Sequence, residues 1–495
     1  MELHRQQPDA GYDALAFHAS ERTRARSLLE LLAEANIDIR RGVPPELANR
    51  ENQLRQQLNT AALQLQALWR NPEPDEAAIV QIRRHIQQLE TQLQQVESQI
   101  RQTSPEVAAL KYPEPLTLEE VQQQVVDEDT VLLQYSLGED RSFLWVVTPN
   151  EITSVELPGR DEITTLANDL RRVLSDPYAG TRDLKNAARP LSEAILAPVS
   201  DRLTGKRLLI VADGILQTIP FSTLAVPGRE EYAPLLVEYE IVNSPSSSLV
   251  ATVRQFHGDR PEPSKTLAVV ADPVFGGEDD NRAELRGGSD GRGSTCYASI
   301  PKRLAGTATE AETVAALVPS SQMFLALEFD AQRQLVVSDT LSDYQIVHLA
   351  THGCFDETNP QLSALALSLV DEAGNPVDGY LRLHDIYNLN LPAELVVLSA
   401  CQTAMGDSVR GEGVVGLTRG FFQAGTSRLV ASLWSVSDAS TAHLMQQFYR
   451  NYLEAGMTPA EALREAQLQM WRGQENSEWR NPFYWAAFVF QGEWR

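Results

Sequence analysis

The sequence predicts an α/β fold: a mainly parallel sheet flanked by helices, with a smaller α/β half before it and a helical hairpin before that. Three observations carry this reading. Two runs, 344–353 and 395–403, are apolar almost without a break, as in strands buried on both faces of a parallel sheet. Strand-like and helix-like stretches alternate from residue 266 onward, which calls for crossover helices on both faces. Nearer the N-terminus, apolar residues step by three and four through two long tracts, a helical period that no strand follows.

The elements follow in order. Residues 15–35 read as an amphipathic helix, with small residues and Leu on one face and Arg and Glu on the other. Leu54, Leu58, Ala61, Leu65 and Leu68 form one heptad tract; Ile79, Ile82, Ile86, Leu89, Leu93, Val96 and Ile100 form the next. Asn71-Pro-Glu-Pro74 breaks the helix between them, so the tracts fold back as an antiparallel hairpin. Pro113-Glu-Pro115 marks the change to mixed sequence. A strand meander is expected over 131–137, 143–148 and 152–157, then helices near 160–175 and 183–197, then a strand at 207–212. Asp213-Gly214 reads as a turn rather than a catalytic acid. Ser246–Ser248 reads as a loop or helix cap, because no Gly-x-Ser-x-Gly elbow surrounds it.

A strand at 266–271 opens the C-terminal unit, and the polar, Gly-rich stretch 275–303 predicts a mobile loop. Thr307-Ala-Thr-Glu310 predicts a capping box. Strands are then expected at 322–329, 344–353, 365–370, 395–403, 428–436 and 484–490, with helices at 330–342, 412–425, 438–456 and 458–472. The predicted domains are 1–112, 113–262 and 263–495.

Composition narrows the function classes. With 43% hydrophobic and 22% charged residues, the chain falls among globular proteins. A net charge of −25 argues against an extended surface for nucleic acid or anionic membrane. Three cysteines, Cys296, Cys354 and Cys401, are too few for a disulfide framework. With no apolar leader and no apolar run of about 18 residues, a cytoplasmic protein is expected. No cofactor or metal is expected.

In open α/β sheets, ligands bind outside the carboxyl ends of the strands. His352 ends one apolar strand and Cys401 ends another, 49 residues later. A thiol needs a neighbouring base to become a thiolate near neutral pH, and an imidazole supplies one. The pair therefore reads as a Cys–His centre for peptide cleavage. The N–H groups of Gly353 and Cys401 are the candidate oxyanion hole. A metal site of His348, His352 and Cys354 fails on distance, because two histidines four strand residues apart lie about 13 Å from each other. His348 reads as a packed strand residue and Cys354 as a spectator.

Gly411-Glu-Gly-Val-Val-Gly416 matches G-x-G-x-x-G, with Asp438 22 residues beyond it. Its first glycine comes too late after the preceding strand, and Glu412 would face a pyrophosphate. Helix entry explains these glycines better. Ser432–Asp438 reaches the same sheet edge as the pair. There Trp434 and Asp438 are candidate substrate contacts, with core packing and helix capping as their alternatives.

Seven stretches together resemble the CHAT domain family of caspase-like, separase-related cysteine peptidases. They are Asp213-Gly214 with Pro220-Phe221, Leu304–Thr307, His348–Gly353, Leu398–Thr403, Gly411–Gly413, Ser432–Trp434 with Asp438, and Tyr484–Ala487. The resemblance implies a caspase-hemoglobinase fold preceded by a smaller related half, and a tetratricopeptide-like remnant in 15–35. It implies His352 as base and Cys401 as nucleophile, the order and approximate spacing of caspases. It maps Asp438 onto the separase aspartate that receives a basic P1 side chain. Asp407 and Glu412, in the loop after Cys401, add negative charge there. The expected activity is a cysteine endopeptidase cleaving a protein substrate after Arg or Lys. The alternative is an idle scaffold that binds a protein partner through the hairpin. Arg282, Arg286, Arg292 and Arg410 in the two predicted loops are candidate points of self-cleavage.

Overall fold

The computed structural model describes every residue except 8–9, 36–43, 70–74, 104–113, 259–262, 277–300, 305, 355–362, 400–406, 410–412, 416, 435–437 and 474–475. The N-terminal half holds β1 (Thr130–Ser136), β2 (Arg141–Val147), β3 (Ile152–Pro158), β4 (Arg207–Val211) and β5 (Glu240–Asn243). The C-terminal half adds β6 (Lys265–Pro273), β7 (Met323–Glu328), β8 (Tyr344–Ala350), β9 (His352–Cys354), β10 (Ala364–Ala366), β11 (Tyr380–Arg382) and β12 (Leu395–Ser399). After these come β13 (Asp407–Val409), β14 (Gly413–Val415), β15 (Arg428–Ser432) and β16 (Phe488–Gly492).

Eleven of these strands make one sheet, in the order β3-β2-β1-β4-β5-β16-β15-β12-β8-β6-β7. The meander β1-β2-β3 and the pair β15-β16 are antiparallel, and the other neighbours are parallel. At the centre, all five residues of β12 are buried, as the unbroken apolar run requires. The two halves meet where β5 pairs with β16 at Asn243 and Gln491. Asn243 Nδ2 donates to the Phe490 carbonyl at 3.0 Å across this seam. Beside it, the buried Trp494 ring lies 5.4 Å from the Arg207 guanidinium and 5.1 Å from that of Arg254. Those arginines are held in turn by Glu240 and Glu493.

The heptad tracts form helices Pro45–Trp69 and Glu76–Thr103. Their apolar stripe meets the small sheet β9-β10-β11: Leu54, Leu58, Leu65, Ile86 and Leu93 share one core with Phe275, Cys354, Ala364, Ala366 and Tyr380. Polar contacts fix the register of this docking. Arg55 donates to the His384 carbonyl and Asn388, and Arg382 and His384 both contact Asn59 Oδ1 at 3.1 Å.

Several expectations change in the folded chain. Helix Tyr12–Ala35 turns Glu21 and Arg24 inward rather than to solvent. Glu21 accepts from the Ser248 N–H at 3.0 Å and its hydroxyl at 2.7 Å, at the start of helix Ser247–Gly258. Arg24 donates to the carbonyls of Ala212 and Tyr135 and lies 3.6 Å from Asp213. Burial pushes the Glu21 carboxyl up and the Arg24 guanidinium down from their ordinary pKa values. Asp213 Oδ2 accepts from the Leu137 N–H at 2.7 Å, and Gly214 has φ +52°, so this pair is the expected turn.

The capping box at Thr307–Glu310 does not form. Thr307 lies inside helix Gly306–Ala315, where its hydroxyl accepts from the Asp272 N–H and donates to the Leu304 carbonyl, while Glu310 is buried. The helix expected at 330–342 shrinks to Arg333–Val337 and a 3₁₀ turn. The helix expected at 412–425 is the hairpin strand β14 followed by Leu417–Gln423, so Gly413 enters a strand and not a helix. The last strand starts later than expected, at Phe488. Most of the loop expected at 275–303 lies outside the described residues.

Candidate active site

The expected strand 344–353 is two strands in two sheets. β8 ends at Ala350, where Thr351 donates its N–H to the Ser399 carbonyl at 3.1 Å and its hydroxyl to the Ala366 carbonyl. The chain then leaves the main sheet, and β9 pairs antiparallel with β10, setting His352 opposite Ala366 and Gly353 opposite Leu365. The base candidate is thus held on the small sheet against which the helical hairpin packs, on the face it shares with Cys354 and Ala366 of that common core.

The partly buried His352 ring is fixed from two directions. Its Nε2 lies 2.6 Å from the Lys302 carbonyl oxygen, and its centroid is 5.5 Å from that of Phe275. A carbonyl can only accept, so Nε2 carries the proton in this contact. In the neutral ring Nδ1 is then the basic nitrogen. Neither Lys302 nor Phe275 was marked by sequence reasoning. A backbone carbonyl leaves no side-chain signal, and Phe275 sits at the edge of a polar stretch.

β8 and β12 are neighbouring parallel strands, with Ala350 in register with Ser399. His352 lies two residues beyond the first and Cys401 two beyond the second. Parallel neighbours run about 4.8 Å apart, so the last residues of β8 and β12 lie side by side at one edge of the sheet. Cys401 and Glu412 lie outside the described residues. Asp407 is on β13, paired with Val415, and Asp438 is the first residue of helix Asp438–Tyr449. Trp434 is 9% exposed and donates its indole N–H to the Phe483 carbonyl at 3.1 Å, so its ring packs inward.

Cys354 is not an idle neighbour. It is buried and disulfide-bonded, to a partner that is not among the described residues. His348 is fully buried between Tyr449 and Glu310. Among the described residues, no group of three or more His, Cys, Asp or Glu is arranged to hold a metal ion. No described helix is long and apolar enough to cross a membrane.

A large, mainly parallel sheet flanked by helices is the caspase-like class of α/β fold. The chain belongs to the CHAT domain family, which matches residues 185–493, more than half of its length. It is 24% identical over 345 residues to human Tetratricopeptide repeat protein 28, covering 62% of this chain and 13% of that protein. The mouse protein of the same name is 23% identical over 370 residues, covering 68% of this chain and 14% of that one. The chain therefore spans only a small part of the relatives it matches. Among solved structures, separase in the Saccharomyces cerevisiae separase–securin complex superposes with a TM-score of 0.51 at 9% identity, over 91% of this chain and 40% of that one. At that identity the likeness is one of fold.

Proposed function

We propose that the protein is a cysteine endopeptidase in which His352 is the base and Cys401 the nucleophile. The observation that carries this reading is the register of β8 and β12, together with an imidazole whose Nε2 is already engaged by a backbone carbonyl. With Nδ1 as base, His352 takes the Cys401 proton. The thiolate sulfur then bonds to the scissile carbonyl carbon, and the carbonyl π electrons move to oxygen. The N–H groups of Gly353 and Cys401 stabilise that oxyanion. Collapse breaks the C–N bond, and His352 returns the proton to the departing amine. Water, deprotonated by His352, releases the acid and the thiol.

The substrate is a protein cleaved after Arg or Lys. Asp438 follows β15, the strand next to β12, and Asp407 and Glu412 follow Cys401 in sequence, so three carboxylates stand close in the chain to this edge. Coulomb attraction grows as the local dielectric falls, so a cation entering among them gains more than it would in water.

The test is a peptide electrophile ending in Arg, applied under reductant, with turnover of an Arg peptide measured in parallel. Wild type labels at Cys401 and turns over, while Cys401→Ala and His352→Ala each lose turnover. Turnover by Cys401→Ala at the wild-type rate refutes the assignment. A second reading, an idle scaffold that binds a protein partner through the hairpin, is favoured by the name of the human relative, which refers to a repeat module. It predicts a wild-type chain that neither labels nor turns over.

A further inference from the structure

Resting on the peptidase reading, we propose that Glu310 is a positioning residue that sets the distance between His352 and Cys401 by gripping the two strands that lead to them. Glu310 projects from helix Gly306–Ala315 and is 2% exposed. Its Oε2 accepts from the Ser399 hydroxyl at 3.2 Å. Its Oε1 stands 3.0 Å from His348 Nε2, somewhat off the hydrogen-bond line. On the other side of the imidazole, His348 Nδ1 lies 3.0 Å from the Tyr449 hydroxyl.

The low-dielectric surroundings, and then the Glu310 charge, push the Tyr449 hydroxyl well above its ordinary pKa. It stays protonated, and its oxygen shares one hydrogen bond with His348 Nδ1.

Position along the chain gives the group its purpose. His348 lies on β8 opposite Val397 of β12, and Ser399 comes two residues after Val397. Alternation along a strand puts His348 and Ser399 on one face of the sheet. A single carboxylate therefore reaches both strands, four residues before His352 and two before Cys401. Stability alone does not call for it, since well-packed apolar side chains of similar volume often replace buried ion pairs without loss. A dyad, by contrast, is sensitive to the gap between two strand ends. Glu310, His348 and Ser399 act on that gap through the backbone and need not touch the substrate.

The test uses the full chain under reductant, with active sites counted by electrophile titration of Cys401. Glu310→Gln and Ser399→Ala are expected to lose about tenfold or more in kcat per titrated site, the scale that a misplacement of well under 1 Å produces, with KM held within about twofold. Ser399→Thr keeps the hydroxyl and is expected to keep most of kcat. Should Glu310→Gln fold poorly, Ser399→Ala removes one oxygen only and still decides the matter. A purely structural role predicts a lower Tm with unchanged kcat per titrated site in Ser399→Ala, and that result overturns the proposal. A wild-type chain without labelling or turnover removes the peptidase reading and this proposal together, before any variant is compared.

Discussion

At the scale of single residues, carboxylates and their partners decide more than the apolar side chains do. Asp438 opens helix Asp438–Tyr449, so its loss can act on the helix or on the substrate. On the proposed specificity, Asp438→Ala lowers kcat/KM for Arg peptides by roughly 10²-fold, because removing one partner of a desolvated charge pair costs about 2–5 kcal/mol. As a cap alone it costs about 1 kcal/mol of stability and leaves the P1 preference as it was. A P1-varied peptide library read with both proteins separates the two. Arg24 offers a stability counterpart. It is the cation buried against Asp213 and two carbonyls, so Arg24→Ala is expected to cost about 3–5 kcal/mol in urea unfolding. A loss under about 1 kcal/mol would place this contact with the weak surface pairs.

At the scale of elements, the helical hairpin and the strand bearing His352 belong to one packed unit. Leu58 is buried between the hairpin and the small sheet, and Leu58→Asp is expected to undock the hairpin. The measurable consequence is faster proteolysis of the hairpin together with slower labelling of Cys401, since β9 loses its backing. Equal labelling rates would separate the hairpin from the site. The same interface carries a pH dependence. Burial holds the His384 imidazole down at about 4, despite the nearby Asp385 carboxylate, with Arg382, Arg55 and Arg333 adding to the effect. The unfolded ring titrates near 6.5, so the unfolded chain binds the extra proton first. Stability from this group is therefore full above about pH 6.5 and falls as the pH drops towards 4, by at most about 3 kcal/mol. Tm measured across that window is expected to fall less steeply in His384→Gln, and equal slopes would place the titration elsewhere.

For the whole molecule, the seam between the halves is narrow in backbone terms and wide in side chains. One residue pair joins β5 to β16, while Trp494, two arginines and their carboxylates close the gap beside it. Trp494→Ala is expected to cost about 3–5 kcal/mol, the range for deleting a large buried aromatic side chain. Scanning calorimetry is expected to show the single transition broaden or split as the halves uncouple. A transition shifted down but equally sharp would mean that the continuous sheet, rather than the tryptophan seam, carries cooperativity.

The order of most strands and helices and the hairpin were legible in the sequence, while the break at Ala350 that moves His352 into a second sheet was not. Each legible element follows from a period: two for strands, three and four for helices, unbroken apolar runs for the sheet centre. Period says which residues are apolar together, but not what a given face meets. Thr307–Glu310 and Thr458–Glu461 carry the same Thr-x-x-Glu pattern, yet only the second closes as a capping box. Glu310 finds a buried histidine and serine from strands 38 and 89 residues away, and no local pattern encodes that meeting. Glu21 and Arg24 read as an outward face for the same reason, because long-range partners make their burial tolerable. The partner of His352 Nε2 is a backbone carbonyl, which every residue has, so tertiary contact alone could select Lys302. The sequence determined most of the elements, because each follows from a local period; the tertiary structure decided which polar groups are buried, because only the packed fold supplies the partners that make burying them tolerable.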